Sequence, residues 1–121
     1  MSLDINLNVS VYHGNITHNL GKMAGEVPVG TTKAYLGQKV YDKELTLYDV
    51  LWRPEEQFMS TASDVLPYLE KGYMELLNKP EHYKTFSPEN GWGTYDGLIK
   101  LLNNYITACK ITPDAYIEAD R

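Results

Sequence analysis

Apolar and polar residues alternate strictly at the start of the chain. Leu3, Ile5, Leu7, Val9 and Val11 interleave with Asp4, Asn6, Asn8, Ser10 and Tyr12. That period of two predicts a β-strand with one face on a core and the other toward water or a partner. Gly14-Asn15 then reads as a turn, with Asn15 as the N-cap of a short helix. Ile16, Leu20 and Met23 follow at helical spacing, and Gly25 stops them. Residues 27–32 read as a loop punctuated by Pro28 and Gly30. From Lys33 to Lys43 a looser alternation sets Ala34, Leu36 and Val40 opposite Tyr35, Lys39 and Tyr41. It predicts an extended strand or hairpin arm, with Gly37 at a bulge.

Beyond Lys43 the period changes to that of helices. Thr46 and Asp49 have the spacing of a capping box ahead of Leu47, Val50 and Leu51, and Pro54 ends that helix. Thr61 and Asp64 repeat the pattern before Val65, Leu66, Leu69, Tyr73, Leu76 and Leu77, where Pro67 should kink or loosen the first turns. Residues 80–85 read as one or two turns of helix, and Ser87-Pro88-Glu89-Asn90-Gly91 as a turn. Thr94 caps the clearest helix, with Leu98, Leu101, Leu102, Tyr105, Ile106 and Cys109 on one face. Pro113-Asp114 breaks it, and Ala115, Ile117 and Ala119 alternate through a final strand. The order predicts an α+β domain of residues 1–121, with helices on one face of a small antiparallel sheet. The first and last strands are expected side by side in that sheet.

Composition narrows the function classes. The chain has 121 residues, enough for one core. Its net charge is −5, and Arg53 and Arg121 are its only arginines, so no direct DNA or RNA binding is expected. Ten tyrosines suit pocket walls and subunit contacts, which favours a homo-oligomer. Cys109 is the only cysteine, which excludes an intrachain disulfide and a cysteine zinc site. Met1-Ser2-Leu3-Asp4 has no basic or apolar leader character, and no apolar run approaches spanning length. A cytoplasmic setting without membrane contact is the expectation.

Three polar-aromatic segments stand out as sites. In His13-Gly14-Asn15-Ile16-Thr17-His18-Asn19, Asn15 and Thr17 can bond a ligand while His18 and Asn19 read its edge or charge. Read structurally, Asn15 merely caps a helix and His18 is solvated. The five-residue gap between His13 and His18 matches no standard metal spacing. In Trp52-Arg53-Pro54-Glu55-Glu56, Arg53 can fork onto an anion beside a stacking Trp52, or simply pair with Glu55 or Glu56 at the surface. In Asn90-Gly91-Trp92-Gly93-Thr94-Tyr95, glycines allow close backbone approach and Thr94 opens a helix. The alternative is a turn whose Trp92 plugs the core. No nucleophile elbow, Cys-His pair, phosphate loop or fixed carboxylate pair is visible, so neither a catalytic site nor a cofactor is expected.

The same segments carry a resemblance. Asn15-Ile16-Thr17-His18-Asn19-Leu20-Gly21-Lys22-Met23-Ala24, Leu51-Trp52-Arg53-Pro54-Glu55-Glu56, Asn90-Gly91-Trp92-Gly93-Thr94-Tyr95 and Ala108-Cys109-Lys110 before Pro113-Asp114-Ala115 resemble a family of small, mostly uncharacterised bacteriophage and prophage proteins. Against that pattern, residues 26–44 look like an insertion. The resemblance implies an accessory role in the host cytoplasm, with no established activity.

The leading expectation is a non-catalytic protein that sequesters a small polar, nucleotide-like ligand, acting against host defence. Trp92, Trp52 or Tyr95 would stack on a ring, while Arg53, the N–H groups from Thr94 onward and His18 meet charge. Asn15, Asn19 and Asn90 would bond edges or hydroxyls. A second expectation is an inhibitor that grips a host protein through its tyrosine-rich surface, the 33–48 arm with Tyr35, Tyr41 and Tyr48. A third is a small hydrolase-like enzyme using His18 with a nearby acid.

Overall fold

The computed structural model describes residues 2–7, 12–88, 91 and 93–121. Its fold is α+β, with two antiparallel sheets. Strand β1 (Ser2–Leu7) pairs with β2 (Tyr12–Thr17), Asp4 opposite Asn15 and Asn6 opposite His13. Its other edge pairs with β5 (Ile117–Asp120), Asp4 opposite Asp120 and Leu7 opposite Ile117. The two ends of the chain therefore lie side by side, as the alternation at both termini predicts. Leu3, Ile5 and Leu7 turn inward and are buried, which leaves Asp4 and Asn6 on the outer face.

The first strand differs from the single run that the alternation suggests. Gly14-Asn15 is not a turn but lies inside β2, and Asn15 caps nothing. The helix begins three residues later, as a short 3-10 turn (His18–Leu20) capped by Thr17, running into α1 (Gly21–Gly25). Gly14 belongs in a strand because a Cβ there would sit 2.2 Å from the Tyr12 hydroxyl and 3.0 Å from Leu101. Close packing selects glycine at this position, not a bend. Asn8 to Val11, where the predicted strand would continue, lie outside the described residues.

The second sheet is a hairpin of β3 (Pro28–Leu36) and β4 (Lys39–Thr46). It takes in the stretch read as a loop from Val27 to Thr32, apart from Val27 itself. Gly37 is not a bulge. It is the first of the two turn residues between Leu36 and Lys39, with φ 62°, the conformation a tight hairpin asks of glycine. The irregularity lies instead between Pro28 and Gly30.

Four more helices follow: α2 (Leu47–Trp52), α3 (Ala62–Asn78), α4 (Pro80–Lys84) and α5 (Tyr95–Ile111). Both capping boxes form. Asp49 accepts from Thr46 N at 3.0 Å, and Asp64 from Thr61 N at 3.1 Å and Ser60 N at 2.9 Å. Aspartate thus reaches as far as the usual glutamate would. Helix α3 runs through Pro67. One core cluster joins the inner faces of β1 and β2 to Val29 and Leu45 of the hairpin and to the apolar stripes of α1, α2, α3 and α5. Among the described residues no helix is long and apolar enough to cross a membrane.

Candidate functional site

The three segments singled out in the sequence meet through packing. His18 stands against Trp52, ring centroids 6.3 Å apart and tilted by 60°. Gly93, at φ 101°, packs so closely that a Cβ would lie 2.7 Å from Thr17 Cγ2 and 2.9 Å from Leu20 Cγ. Asn90 and Trp92 lie outside the described residues.

Most polar groups in these segments are satisfied internally. Trp52 is only 2% exposed and stacks on Tyr48 at 5.2 Å. Arg53 donates to Glu56 Oε2 at 2.8 Å and lies 3.5 Å from the Tyr48 hydroxyl. Both contacts push the guanidinium further up its range, while Arg53 holds the Glu56 carboxyl below its usual value. Arg121 donates to the Trp52 carbonyl at 2.7 Å and to Glu55, tying the chain end to the same segment. Thr94 Oγ1 accepts from Gly97 N at 3.0 Å, and buried Tyr95 donates to the Leu76 carbonyl at 2.6 Å. Thr17 Oγ1 accepts from Asn19 N, and the exposed Asn19 side chain makes no hydrogen bond among the described residues. Asn15 points to the outer sheet face, donating to Asp4 at 2.7 Å and Ser2 at 3.0 Å. His13 Nδ1 lies 2.6 Å from Asn6 Oδ1 there.

Among the described residues, His18 Nε2 is buried with no hydrogen-bond partner. Leaving such a group unpaired costs about 1–3 kcal/mol. No carboxylate reaches His18, so the acid–base pairing that the hydrolase reading needs is not formed among the described residues. Nor do three His, Cys, Asp or Glu side chains there group so as to hold a metal ion.

Two surfaces are more open, one whose α5 wall the sequence did not single out and one on the arm that the second expectation names. The first is a channel along one side of β2. His13, Gly14 and Asn15 wall a cavity of about 280 Å³ whose opposite wall is Gly97, Lys100, Leu101 and Asn104 of α5. Tyr12 and Asn104 also border a second cavity of about 410 Å³, completed by Thr107, Ala108 and Ile111. The side chains of Lys100 and Asn104 make no hydrogen bond or ion pair among the described residues. The signal was in the sequence: Gly97, Lys100, Asn104, Thr107 and Ile111 recur at three- and four-residue steps, a second stripe beside the apolar one.

The second surface is the hairpin arm. Past Thr31 and Glu44 it leaves the core, and Tyr35, Leu36, Val40 and Tyr41 at its tip are 67, 71, 56 and 49% exposed. Tyr35 pairs with Val40 on one face, and Ala34 with Tyr41 on the other. Lys43 reaches back to Gln57 at 3.0 Å. Next to Gln57, Phe58 is 84% exposed on a left-handed backbone at φ 59°. The chain matches no family model, no curated protein and no solved structure against which it was compared.

Proposed function

We propose that this chain is a non-catalytic binding protein that grips another protein through its hairpin arm, as an accessory factor of the phage type acting on a host component. The observation that carries this reading is the arm's tip. Four large apolar side chains on both faces of a two-stranded hairpin contribute nothing to the core. A hairpin of that kind is marginal by itself, and an exposed apolar patch commonly marks a protein contact. The arm carries Lys33, Lys39 and Lys43 against Asp42 and Glu44 in a chain of net charge −5. Lys33 pairs with Asp42 and Lys43 with Gln57, so the arm's charge is largely met within the chain, and its apolar tip suits an apolar partner surface.

The reading is tested by shortening the arm, joining Thr31 to Glu44 through an Asn-Gly turn. Equilibrium unfolding should stay within about 0.5 kcal/mol of the parent, as for a surface change. A loss of several kcal/mol would make the arm a structural element and remove the argument for a partner.

A small polar, nucleotide-like ligand is the second reading. It is favoured by His18 Nε2, buried without a partner among the described residues where the three polar-aromatic segments meet.

A further inference from the structure

Strand β2 is an edge strand: the sheet order is β2-β1-β5, and among the described residues nothing pairs with its outer side. Every second residue of such an edge presents its N–H and C=O away from the sheet, ready to pair with an added strand. Helix α5 runs beside this edge in the opposite direction. Tyr12 borders its Asn104–Ile111 half, while His13 to Asn15 border Gly97 to Asn104. The two cavities share Tyr12 and Asn104 and so lie next to each other, between the start of a free strand edge and a helix.

We propose that this channel binds an extended peptide segment of a partner protein, added to the sheet beside β2 as a fourth strand. The segment carries an acidic side chain about four residues from a large apolar one. The chemistry differs at the two ends. At one, the Lys100 side chain has no ion-pair partner among the described residues and stands with the Asn104 amide, while His13 on the same wall is turned to Asn6 and Asp4. At the other, the Tyr12 ring, Ala108 and exposed Ile111 offer an apolar seat. Lys100 and Ala108 are separated by roughly 12 Å along the helix, which an extended chain spans in about four residues. Side chains four apart on a strand share a face, so both can turn toward α5. Main-chain bonds then supply affinity, and the two side-chain seats supply selectivity.

The proposal rests on reading the chain as a protein-binding protein, but it does not use the arm. The test is selection of random peptides on the intact protein, followed by fluorescence anisotropy of a synthetic selected peptide. Enrichment of sequences with Asp or Glu four positions from Leu, Ile or Phe is expected. Lys100→Glu should weaken the acidic peptide roughly tenfold or more, and exchanging its acid for lysine should restore binding to that variant. Shortening the arm should leave peptide affinity unchanged. Asn104→Trp, which fills the junction of the two cavities, should abolish it. No enrichment, an affinity indifferent to Lys100→Glu, or loss of binding on arm shortening alone would overturn the proposal. Failure of peptide binding together with Lys100-dependent binding of mononucleotides would overturn it in favour of the small ligand, and the arm would be untouched by that outcome.

Discussion

At Phe58 the backbone takes φ 59° and ψ 30°, and the ring is 84% exposed. A β-carbon in this region costs roughly 1–2 kcal/mol, and an exposed phenyl recovers none of it. Folding alone would place glycine or asparagine there. Phe58→Gly should therefore raise stability by about 1 kcal/mol, or a few degrees in the unfolding midpoint. An unchanged or lower midpoint would show that the ring is held by contacts that stabilise the native state. Strain retained beside the base of the arm is what a contact residue would show, and Lys43 already links the arm to neighbouring Gln57. Cys109 makes the contrast. Burial pushes its thiol up to about 12, as the apolar stripe of α5 implies for an inert core cysteine.

Among the elements, capping was the most legible feature and the β1–β2 connection the least. Thr46-Asp49, Thr61-Asp64 and Thr94 mark helix starts because short side chains can accept from backbone N–H groups only at an open first turn. Their identities therefore report geometry directly. Alternation reports only which face a residue takes, and it cannot say where a strand reverses. It gave no sign that Tyr12 opens a second strand paired back on Ser2–Leu7, and Gly14, a residue of turns, was in that strand to let Tyr12 and Leu101 approach. The channel was missed because its stripe on α5 is mostly polar, which reads as a solvated helix face. Asp64 supports a prediction at this scale. Bonds from Ser60 and Thr61 N–H hold its carboxyl below the usual range, so it is depressed in the folded state. Its stabilisation is present above about pH 4, the unfolded value, and is lost as pH falls through the folded one. Asp64→Ala should cost on the order of 1 kcal/mol at neutral pH and flatten the acid limb of stability against pH. Parallel acid limbs for variant and parent would contradict this.

At the scale of the whole molecule, one core of sheet, helices and hairpin base accounts for nearly every buried residue among those described, and two described features stand outside it. They are the arm beyond Thr31 and Glu44 and the channel beside β2. The predicted segments around His18, Trp52 and Gly93 do come together, yet largely as packing, with Trp52 and Tyr95 in the core and Arg53 engaged by Glu56 and Tyr48. Their residue types marked a place where elements meet, and a sequence cannot separate that from a place where a ligand sits. The claim that the arm is built to hold another protein is tested most directly by a photo-crosslinking amino acid at Tyr35 or Tyr41 in bacterial cells that express the protein. A discrete adduct with one other protein is predicted from both positions. It should be lost when Leu36 and Val40 become serine, and absent from the same probe at Glu118 on the outer sheet face. No adduct, an adduct only with a second copy of this chain, or the same adduct from Glu118 would contradict it.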